Sequence, residues 1–300
     1  MTGGHLVRSG GDAVLAVPRG WAAGASGHRR WDPVGEDTGA VHTGFGVCEL
    51  DPGGRLPAHV HSFEESFFVV AGGGVVETPE GAFRVGEGDY GLFPVGVPHR
   101  WRNDEGRAVR WAEMQAPVPR SRYDDDTTLV DLPTTPDPRP IDVRDPRTRR
   151  FGTVTPGHLD VGRQSQEVLA VSASMRTALL VYSGITVKMM VDSDLGAQLS
   201  TMFMVRYDPD GVAGAHDHPF EETYYFLEGQ AEATFDGEHH LLGAGDVAWA
   251  GVGTVHGFRN VGDGPLRWLE TQAPQPPRRH SYRFARDWDY LNDTTGRVRG

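Results

Sequence analysis

Two short runs of the sequence carry residue types that bind divalent metal ions. Each run has the pattern H-x-H-x3-E, and in both cases a further histidine follows thirty-four residues after the glutamate. Imidazole nitrogens and carboxylate oxygens are ligands of first-row transition ions. We therefore predict up to two divalent-metal sites per chain. The predicted ligands are His59, His61, Glu65 and His99 in the first site, and His216, His218, Glu222 and His256 in the second.

The predicted ligand set leaves room for chemistry at the metal. Neutral imidazoles and one carboxylate suit Fe, Mn, Co, Ni, Cu or Zn, and they supply one negative charge against two positive charges. Four protein ligands around an octahedral ion leave two neighbouring positions open. Water, dioxygen or a chelating substrate could occupy these positions, so both sites are candidate catalytic centres.

The two motifs belong to an internal duplication. His59 and His216 are 157 residues apart, and the same shift relates His99 to His256 without an insertion or deletion. Such register over glycines, turns and a tryptophan is typical of repeated domains. Further positions shared under this shift are Asp51-Pro52, Gly72, Gly88-Asp89, Arg102-Asn103, Arg110-Trp111, Glu113 and Gln115-Ala116-Pro117 of the first copy.

Each copy has the pattern of several short strands. Ser66–Val70 and Thr223–Leu227 are aromatic and β-branched, and both runs end close to a glycine. Pro79-Glu80-Gly81 and Asp236-Gly237 are predicted hairpin turns, because glycine readily adopts the positive φ of such turns. Many brief antiparallel strands favour a sandwich or a barrel.

Alternation along a strand predicts which side chains share a face with the ligands. His59 and His61, two residues apart, project to one side, whereas Glu64 and Glu221 alternate away from the neighbouring ligands and should face solvent or a barrel edge. The phenol of Tyr224 could bond an oxygen ligand at the metal, so we predict Tyr224 as a catalytic residue, with core packing as the alternative. The side chains predicted to point inward are Phe67, Val69 and Trp101 in the first copy, and Tyr224, Phe226 and Phe258 in the second.

The rest of the chain is divided by its composition. The segment 119–156 is rich in Pro, Asp and Arg with little periodicity, and it is predicted to be a linker. It separates an N-terminal domain, 1–118, from a C-terminal domain, 157–300. Within the latter we predict one helix over Gln164–Leu180 and opening strands over Gly184–Val191 and Leu199–Tyr207.

Composition excludes some partners and compartments. A net charge of −12 and a pI near 5.5 argue against a nucleic-acid or anionic-membrane surface, which needs clustered Lys and Arg. Basic pairs such as Arg29-Arg30 are expected to be solvated. The single cysteine, Cys48, excludes an internal disulfide and fits a reducing compartment. No signal peptide or long apolar run is apparent, so we predict a cytoplasmic protein that binds a small molecule, without nucleic-acid or membrane partners.

Both copies resemble the cupin signature, G-x5-H-x-H-x3-E-x6-G followed by G-x5-P-x-G-x2-H-x3-N. The first copy matches every fixed position over 53–72 and 88–103, whereas in the second Asp210 replaces the opening glycine and Gly251 replaces Pro94. The resemblance implies an all-β chain of two tandem jelly-roll-like β-barrels with few short helices, a bicupin. A homodimer is common among such proteins, although two barrels in one chain can also pair with each other.

Fold does not settle the reaction, since proteins of this resemblance include dioxygenases, decarboxylases, isomerases, aminohydrolases and binding modules. We expect an Fe(II) or Mn(II) dioxygenase acting on a small oxygen-rich or aromatic substrate, because open metal positions would adjoin an aromatic wall. The first alternative is a non-redox isomerase, decarboxylase or hydrolase of a small polar acid or sugar. Oxalate decarboxylase usually has one more residue between its second His and its Glu, which counts against that identity. The second alternative is a non-catalytic small-molecule-binding cupin.

The remaining histidines lack a partner at ligand spacing and are interpreted as surface or loop residues. They are His5, His28, His42, His158, His239, His240 and His280.

Overall fold

The computed structural model describes residues 4–18, 24–142, 144–160, 183–275 and 283–284. Twenty-two strands and five short 3₁₀ helices lie within these ranges, which confirms the all-β prediction. The strands are β1 His5–Arg8, β2 Ser26–Val34, β3 Gly44–Arg55, β4 His59–His61, β5 Glu64–Ala71, β6 Gly73–Thr78, β7 Gly81–Gly86, β8 Asp89–Phe93, β9 Arg100–Arg102, β10 Val109–Ala116, β11 Thr127–Leu129, β12 Arg139–Pro140, β13 Phe151–Thr153, β14 Ser183–Val191, β15 Thr201–Asp217, β16 Glu221–Glu228, β17 Gln230–Phe235, β18 Glu238–Gly243, β19 Val247–Ala250, β20 His256–Asn260, β21 Leu266–Ala273 and β22 Arg283–Phe284. The helices span Gly10–Asp12, Glu36–Thr38, Ser121–Asp126, Pro146–Thr148 and Pro156–Leu159.

The predicted strands of the repeats are confirmed. The two aromatic runs lie in β5 and β16, and the two opening strands of the second copy correspond to β14 and the start of β15. The predicted helix over Gln164–Leu180 lies outside the described residues. No helix in the described part of the chain is long and apolar enough to cross a bilayer.

Twenty of the described strands form two curled ten-stranded sheets, one for each repeat, and β4 and β11 form a separate two-stranded sheet. The first sheet has the order β12-β7-β6-β9-β3-β10-β5-β8-β13, with β2 added on β3. The second has the order β1-β19-β16-β21-β15-β20-β17-β18, with β14 and β22 added on β15. Each sheet curls around an apolar interior and forms the barrel of its repeat.

Repeated glycines make equivalent turns in the two sheets. Gly72 and Gly229 have φ of 76° and 79°, and a Cβ at either would lie within 2.5 Å of a neighbouring carbonyl oxygen. Only glycine fits such a position. Asp210 has φ of 62°, close to the 74° of its counterpart Gly53, and aspartate tolerates this left-handed conformation. The substitution in the second motif therefore preserves the turn.

Each barrel includes an edge strand from a segment that lies outside its own repeat in the sequence. β13, from the predicted linker, pairs with β8 of the first barrel, while β1, from the chain's N-terminal end, pairs with β19 of the second barrel. β11 and β12, also in the predicted linker, pair with β4 and β7. The segment 119–156 is thus packed against the first barrel. The domain boundaries given above stay a prediction.

The two barrels meet through a reciprocal pair of buried carboxylates. Glu64 accepts hydrogen bonds from the backbone N–H groups of residues 198–200 and from the Ser200 hydroxyl, at 2.6 Å. Glu221 accepts the equivalent bonds from residues 41–43 and from the Thr43 hydroxyl. The prediction that these glutamates face solvent or a barrel edge was wrong. Alternation correctly predicted that both side chains point away from the metal side, but in each case that other face is covered by the opposite barrel.

Apolar residues of both repeats surround this contact. Met114, Phe45 and Tyr90 of the first barrel share one buried cluster with Met202 and Trp249 of the second. The interiors of the barrels form two further clusters. Burying methionine and aromatic surface between the barrels joins them by the hydrophobic effect.

Candidate metal centres

The first predicted ligand set comes together inside the first barrel. β4 supplies His59 and His61, β5 supplies Glu65, and His99 lies just before β9. One ligand atom from each of the four residues lies within 4.8 Å of all the others, and each residue is at most 4% exposed. Glu65 Oε2 is 2.8 Å from His61 Nε2 and 3.5 Å from His99 Nε2. The fit of the donor set to a divalent transition ion is therefore good.

Hydrogen bonds behind the imidazoles aim them at the centre. The Nδ1 atoms of His59 and His99 lie 2.8 and 3.0 Å from the backbone carbonyl oxygens of Pro57 and Val97. A ring nitrogen facing a carbonyl must carry the proton, so Nε2 holds the lone pair. His61 Nδ1 lies 2.9 Å from the Thr127 hydroxyl. Thr127 belongs to the predicted linker, so this segment helps to build the site.

The electrostatics of the first centre suit metal binding. Burial, together with His99 and His61, lowers the pKa of His59 well below its ordinary value, and burial lowers the pKa of His61 to about 4. Both rings are therefore neutral at physiological pH. Burial alone would raise the pKa of Glu65, but the adjacent His99 and His61 outweigh it and hold that pKa below the ordinary value. The carboxylate is thus ionised, with the neutral rings of His59 and His61 in the same centre.

In the second predicted ligand set, the three histidines come together but the glutamate lies slightly apart. Ligand atoms of His216, His218 and His256 lie within 4.8 Å of one another. The oxygens of Glu222 lie 3.5 Å from His218 Nε2 and 3.0 Å from His256 Nε2, but Glu222 is not within the same distance limit of all three imidazoles. Burial lowers the pKa of His216 to about 3 and that of His256 to about 4. The neutral rings of His216 and His256, together with His218, thus form the second centre, with the carboxylate beside them.

Hydrogen bonds to other side chains occupy Glu222. The Tyr224 hydroxyl donates to Oε2 at 2.6 Å, and Gln272 Nε2 donates to Oε1 at 2.7 Å. Burial raises the pKa of Glu222 to about 7. The neighbouring Glu270 is buried as well, and burial together with Glu222 raises its pKa well above the ordinary value. Two buried carboxyl groups close together cannot both ionise readily, so this pair retains a proton.

In the first barrel, the carboxyl group equivalent to Glu270 has a cationic partner. Glu113, the counterpart of Glu270, contacts the guanidinium of the buried Arg30. In the second barrel Val187 occupies the position of Arg30, so Glu270 lacks this counter-charge. The expectation that Arg29-Arg30 is solvated was therefore wrong for Arg30, which alternates into the barrel. Arg29 lies at the surface and pairs with acidic side chains.

A cavity reaches the first barrel beside this arginine. It has a volume of about 360 Å³ and is lined by Arg30, Asp32 and Gln115, with residues from 119–125 at its rim. Gln115 pairs with the ligand Glu65 across neighbouring strands and donates to Glu113 at 3.0 Å. The cavity thus ends one strand away from Glu65, and none of the four ligands lines it.

The predicted inward-facing and turn-forming residues lie as expected. Every predicted inward aromatic or aliphatic side chain is buried, and Trp101 stacks on Trp111 at 4.3 Å. Asn103 bridges two backbone carbonyls and accepts from Glu105 N–H, and Asn260 does the same in the second copy. Both asparagines therefore stabilise the turn that follows the last ligand strand.

Three of the remaining histidines are not ordinary surface residues. His28 is buried, and its ring stacks on Trp111 at 5.9 Å. Burial, with Arg30 beside it, lowers the pKa of His28 to about 3. His5 and His240 lie close together on the second barrel. The sequence signal for His28 and Arg30 was their mismatch with Ile185 and Val187 in the other repeat. His280 lies outside the described residues.

Comparison with known proteins agrees with this architecture. The family described as "Cupin domain" matches residues 46–114 and 203–271, the two segments that carry the ligands. No curated protein matches the sequence.

Solved structures similar to the chain have two barrels as well. A Lactobacillus farciminis oxalate decarboxylase formate complex has a TM-score of 0.63 at 19% identity, covering 97% of this chain and 93% of that one. Bacillus subtilis oxalate decarboxylase with its Mn(II) centres has a TM-score of 0.61 at 16% identity, covering 97% and 84%. A putative glyoxylate-induced protein from Pseudomonas aeruginosa has a TM-score of 0.62 at 18% identity, covering 92% and 91%. At these identities the likeness concerns the fold.

Proposed function

The chain is a bicupin, two cupin domains in tandem, and from this premise we propose that it is a metal-dependent enzyme that decarboxylates a small carboxylic acid at the first-barrel centre. The observation that carries the proposal is the convergence of His59, His61, Glu65 and His99 inside the first barrel, one strand away from a cavity that Gln115 lines. Mn(II) is the proposed metal, because the donor set accepts it and a structural neighbour has Mn(II) centres.

The carboxylate of the first centre is more available for metal binding than that of the second. Glu65 is ionised and contacts the imidazoles, whereas Glu222 is already engaged by Tyr224 and Gln272. A metal at the second site must compete with these hydrogen bonds for the carboxylate. We therefore assign tight binding and catalysis to the first centre, and a weaker, structural metal to the second.

Charge favours an acid as the substrate. The first ligand set contributes one negative charge, so a divalent ion bound there keeps a net positive charge in a buried site. A carboxylate that approaches through the cavity at Gln115 would neutralise it, and the electrostatic attraction is strong where water is excluded. The ligands are almost fully buried among aromatic side chains, which limits the substrate to a small molecule.

The reaction balances without an added oxidant. The bond between the carboxyl carbon and its neighbour breaks, carbon dioxide leaves, and the electron pair that stays behind takes up a proton. A bound divalent ion supplies Lewis-acid stabilisation of the developing negative charge. The chain contributes the binding of the carboxylate, the orientation of the ligands through Pro57, Val97 and Thr127, and a cavity through which a proton can enter from solvent.

The non-redox alternative is thus preferred over the dioxygenase expected from the sequence. The neighbours with named activity are decarboxylases, whereas the aromatic wall that suggested a dioxygenase is packed core. The H-x-H-x3-E spacing still departs from the usual oxalate decarboxylase spacing, so oxalate is one substrate to be tested among other small acids. Iron as the metal, a homodimer and a cytoplasmic location stay predictions.

The test measures gas exchange by the Mn(II)-loaded protein with oxalate and with small oxo and hydroxy acids. Membrane-inlet mass spectrometry follows carbon dioxide release and oxygen uptake together. We expect carbon dioxide release without stoichiometric oxygen uptake, abolished in His99→Ala and retained in His256→Ala. One oxygen consumed per substrate would identify a dioxygenase instead, and no turnover of any acid would contradict the proposal.

A further inference from the structure

A second kind of histidine cluster lies at the edge of the second barrel. His5 of β1 and Glu238 and His240 of β18 each place one potential ligand atom within 4.8 Å of the others. His5 Nε2 is 3.5 Å from Glu238 Oε2, and the rings of His5 and His240 are 5.5 Å apart. We call these three residues the seam cluster. It is separate from the four ligands inside the barrel.

The seam cluster joins the two ends of one sheet. β1 and β18 are the terminal strands in the order of the second sheet, so they are the edges that meet when the sheet curls. Glu238 and His240 are two residues apart on β18 and therefore project to the same face. His5 reaches them from the opposite edge.

The backbone holds His5 in place. β1 pairs with β19 with His5 opposite Ala250, and the Gly4 carbonyl accepts from Gly251 N–H at 2.8 Å and from the Thr254 hydroxyl at 3.0 Å. The His5 ring stacks on Phe235 at 5.4 Å with an interplanar angle of 12°. The imidazole is thus presented by a strand and a stacking contact.

The first barrel closes the same seam with an aromatic contact and, beside it, an ion pair between Arg150 and Glu80 at 4.0 Å. Phe83 occupies the position of His240 there, and it packs against Phe151 of β13 at 5.2 Å. β13 pairs with β8 as β1 pairs with the equivalent β19. Among the described residues, two imidazoles and a carboxylate come together at this seam in the second barrel, whereas the first barrel has an aromatic side chain in place of His240.

One atom of the seam cluster, His240 Nε2, indicates a site for a ligand. His240 Nε2 is shielded from solvent and has no hydrogen-bond partner among the described residues. Buried polar nitrogens are normally paired, so such an atom calls for a partner. Burial, and then the nearby His5, lowers the pKa of His240, which keeps the ring neutral and able to donate a lone pair.

We propose that His5, Glu238 and His240 bind a divalent transition ion that fastens the edge strand β1 to β18. Two imidazoles and one carboxylate are a Zn²⁺ ligand set, with water completing the tetrahedron. The ion would stabilise the closed second barrel and hold the N-terminal strand on it. This site does not depend on the catalytic proposal.

The test counts Zn²⁺ bound to the metal-free full chain by equilibrium dialysis and elemental analysis. We expect the wild type to bind one more ion per chain than His240→Phe, which copies the first barrel, and than Glu238→Gln, which alters an exposed side chain. His239→Gln, at the exposed neighbour on the other face, is the control and should bind as the wild type does.

Hydrogen exchange gives an independent measurement. Zn²⁺ should slow exchange of the Leu6 and Val7 amides in the wild type and leave it unchanged in His240→Phe. Equal Zn²⁺ content in the wild type and both seam variants would overturn the proposal, and so would loss of the same ion in His239→Gln. If Zn²⁺ binding requires His240 and Glu238 but hydrogen exchange of the Leu6 amide does not change, the proposal that the ion holds β1 on the barrel would be overturned.

Discussion

At the scale of single residues, the two repeats keep their ligands and change what surrounds them. Phe67 of the first barrel corresponds to Tyr224 of the second, and only the tyrosine places a hydroxyl on the ligand carboxylate. Arg30 corresponds to Val187, so only the first barrel pairs its second buried glutamate with a cation. We therefore expect identical donor types to bind metal with different affinities in the two barrels, because their hydrogen bonds and charges differ.

The Tyr224 hydroxyl provides a direct test of this difference. In Tyr224→Phe the carboxylate of Glu222 loses one competing hydrogen bond, worth about 1 kcal/mol, so metal affinity of the second site should rise about fivefold. Calorimetric titration with Mn²⁺ in a His99→Ala background reports on that site alone. Tyr225→Phe, on the opposite face of the same strand, is the control. Unchanged binding in Tyr224→Phe would show that the hydroxyl does not compete with the metal for Glu222. Weaker binding would show that the hydroxyl supports the site.

His28 makes the first barrel sensitive to acid. Its pKa is about 3 in the folded protein against an ordinary value of 6.5, so between these values only the unfolded chain takes up the proton. Stability should therefore fall as pH drops through this window, by up to about 1.4 kcal/mol per pH unit from this group. His28→Ile, which copies Ile185, removes this contribution.

Urea unfolding of metal-free protein between pH 7 and pH 4 measures the effect. The advantage of His28→Ile over the wild type should grow as pH falls. Parallel pH profiles would mean that His28 is protonated equally in both states.

At the scale of strands, contacts between distant segments complete both barrels. β1 and β13 each close a barrel as an edge strand, and Glu64 and Glu221 each bind a backbone segment of the other repeat. Carboxylates that accept several backbone N–H bonds in a buried interface are strongly held, and removing one leaves those donors unpaired. The interface is therefore polar at two points and apolar between them.

Glu64→Gln should destabilise the chain by about 3 kcal/mol, because the amide cannot accept all the N–H groups of residues 198–200 and brings donors of its own. Denaturant unfolding measures this loss, and Glu221→Gln should show a similar one. Glu87→Gln, at an exposed position of the first repeat, is the matched control. A change below about 0.5 kcal/mol in Glu64→Gln, typical of surface sites, would contradict the interface role.

Strand prediction succeeded where periodicity is local and failed where a partner comes from far along the chain. Ser66–Val70 shows its strand through β-branched and aromatic residues, whatever packs on it. The segment 119–156 has no such pattern, since β11 to β13 are two or three residues long and depend on pairing with the first barrel. Alternation likewise indicated which face Glu64 occupies, but not that another barrel covers that face.

At the scale of the whole molecule, two centres lie in separate barrels with separate aromatic cores. The first ligand set belongs to the sheet around Trp101 and Trp111, and the second to the sheet around Phe258 and Trp268. No ligand is shared between them. Metal binding at the two centres is therefore expected to be independent.

His99→Ala should remove about one metal equivalent and His256→Ala the other, without unfolding the untouched barrel. Elemental analysis after purification gives the metal content, and circular dichroism checks the fold. When the two variants compete for limiting Mn²⁺, the first centre, intact in His256→Ala, should take up more metal than the second centre, intact in His99→Ala. Loss of both metals from either single change would show that the centres are coupled.

The metal ligands were predictable because their spacing in each copy matches the cupin-like signature. The surroundings were less so. Thr127 behind His61, Gln272 beside Glu222 and His5 beside His240 reach their partners across 66, 50 and 235 residues respectively. Sequence spacing contains no signal for such pairs. Differences between the repeats were the available signal. Arg30, His28 and His240 are polar residues whose equivalent positions in the other repeat hold apolar residues.

The reciprocal binding of Glu64 to residues 198–200 and of Glu221 to residues 41–43 relates the halves by an approximate two-fold axis within one polypeptide. Such an isologous contact is how identical subunits associate, with each half offering the same patch to the other. The chain therefore has the arrangement of a fused dimer, and an ancestor with one barrel could have assembled through this surface before duplication. Within one polypeptide the two copies need not stay identical, and they differ beside their ligands, where Tyr224 corresponds to Phe67 and Arg30 to Val187.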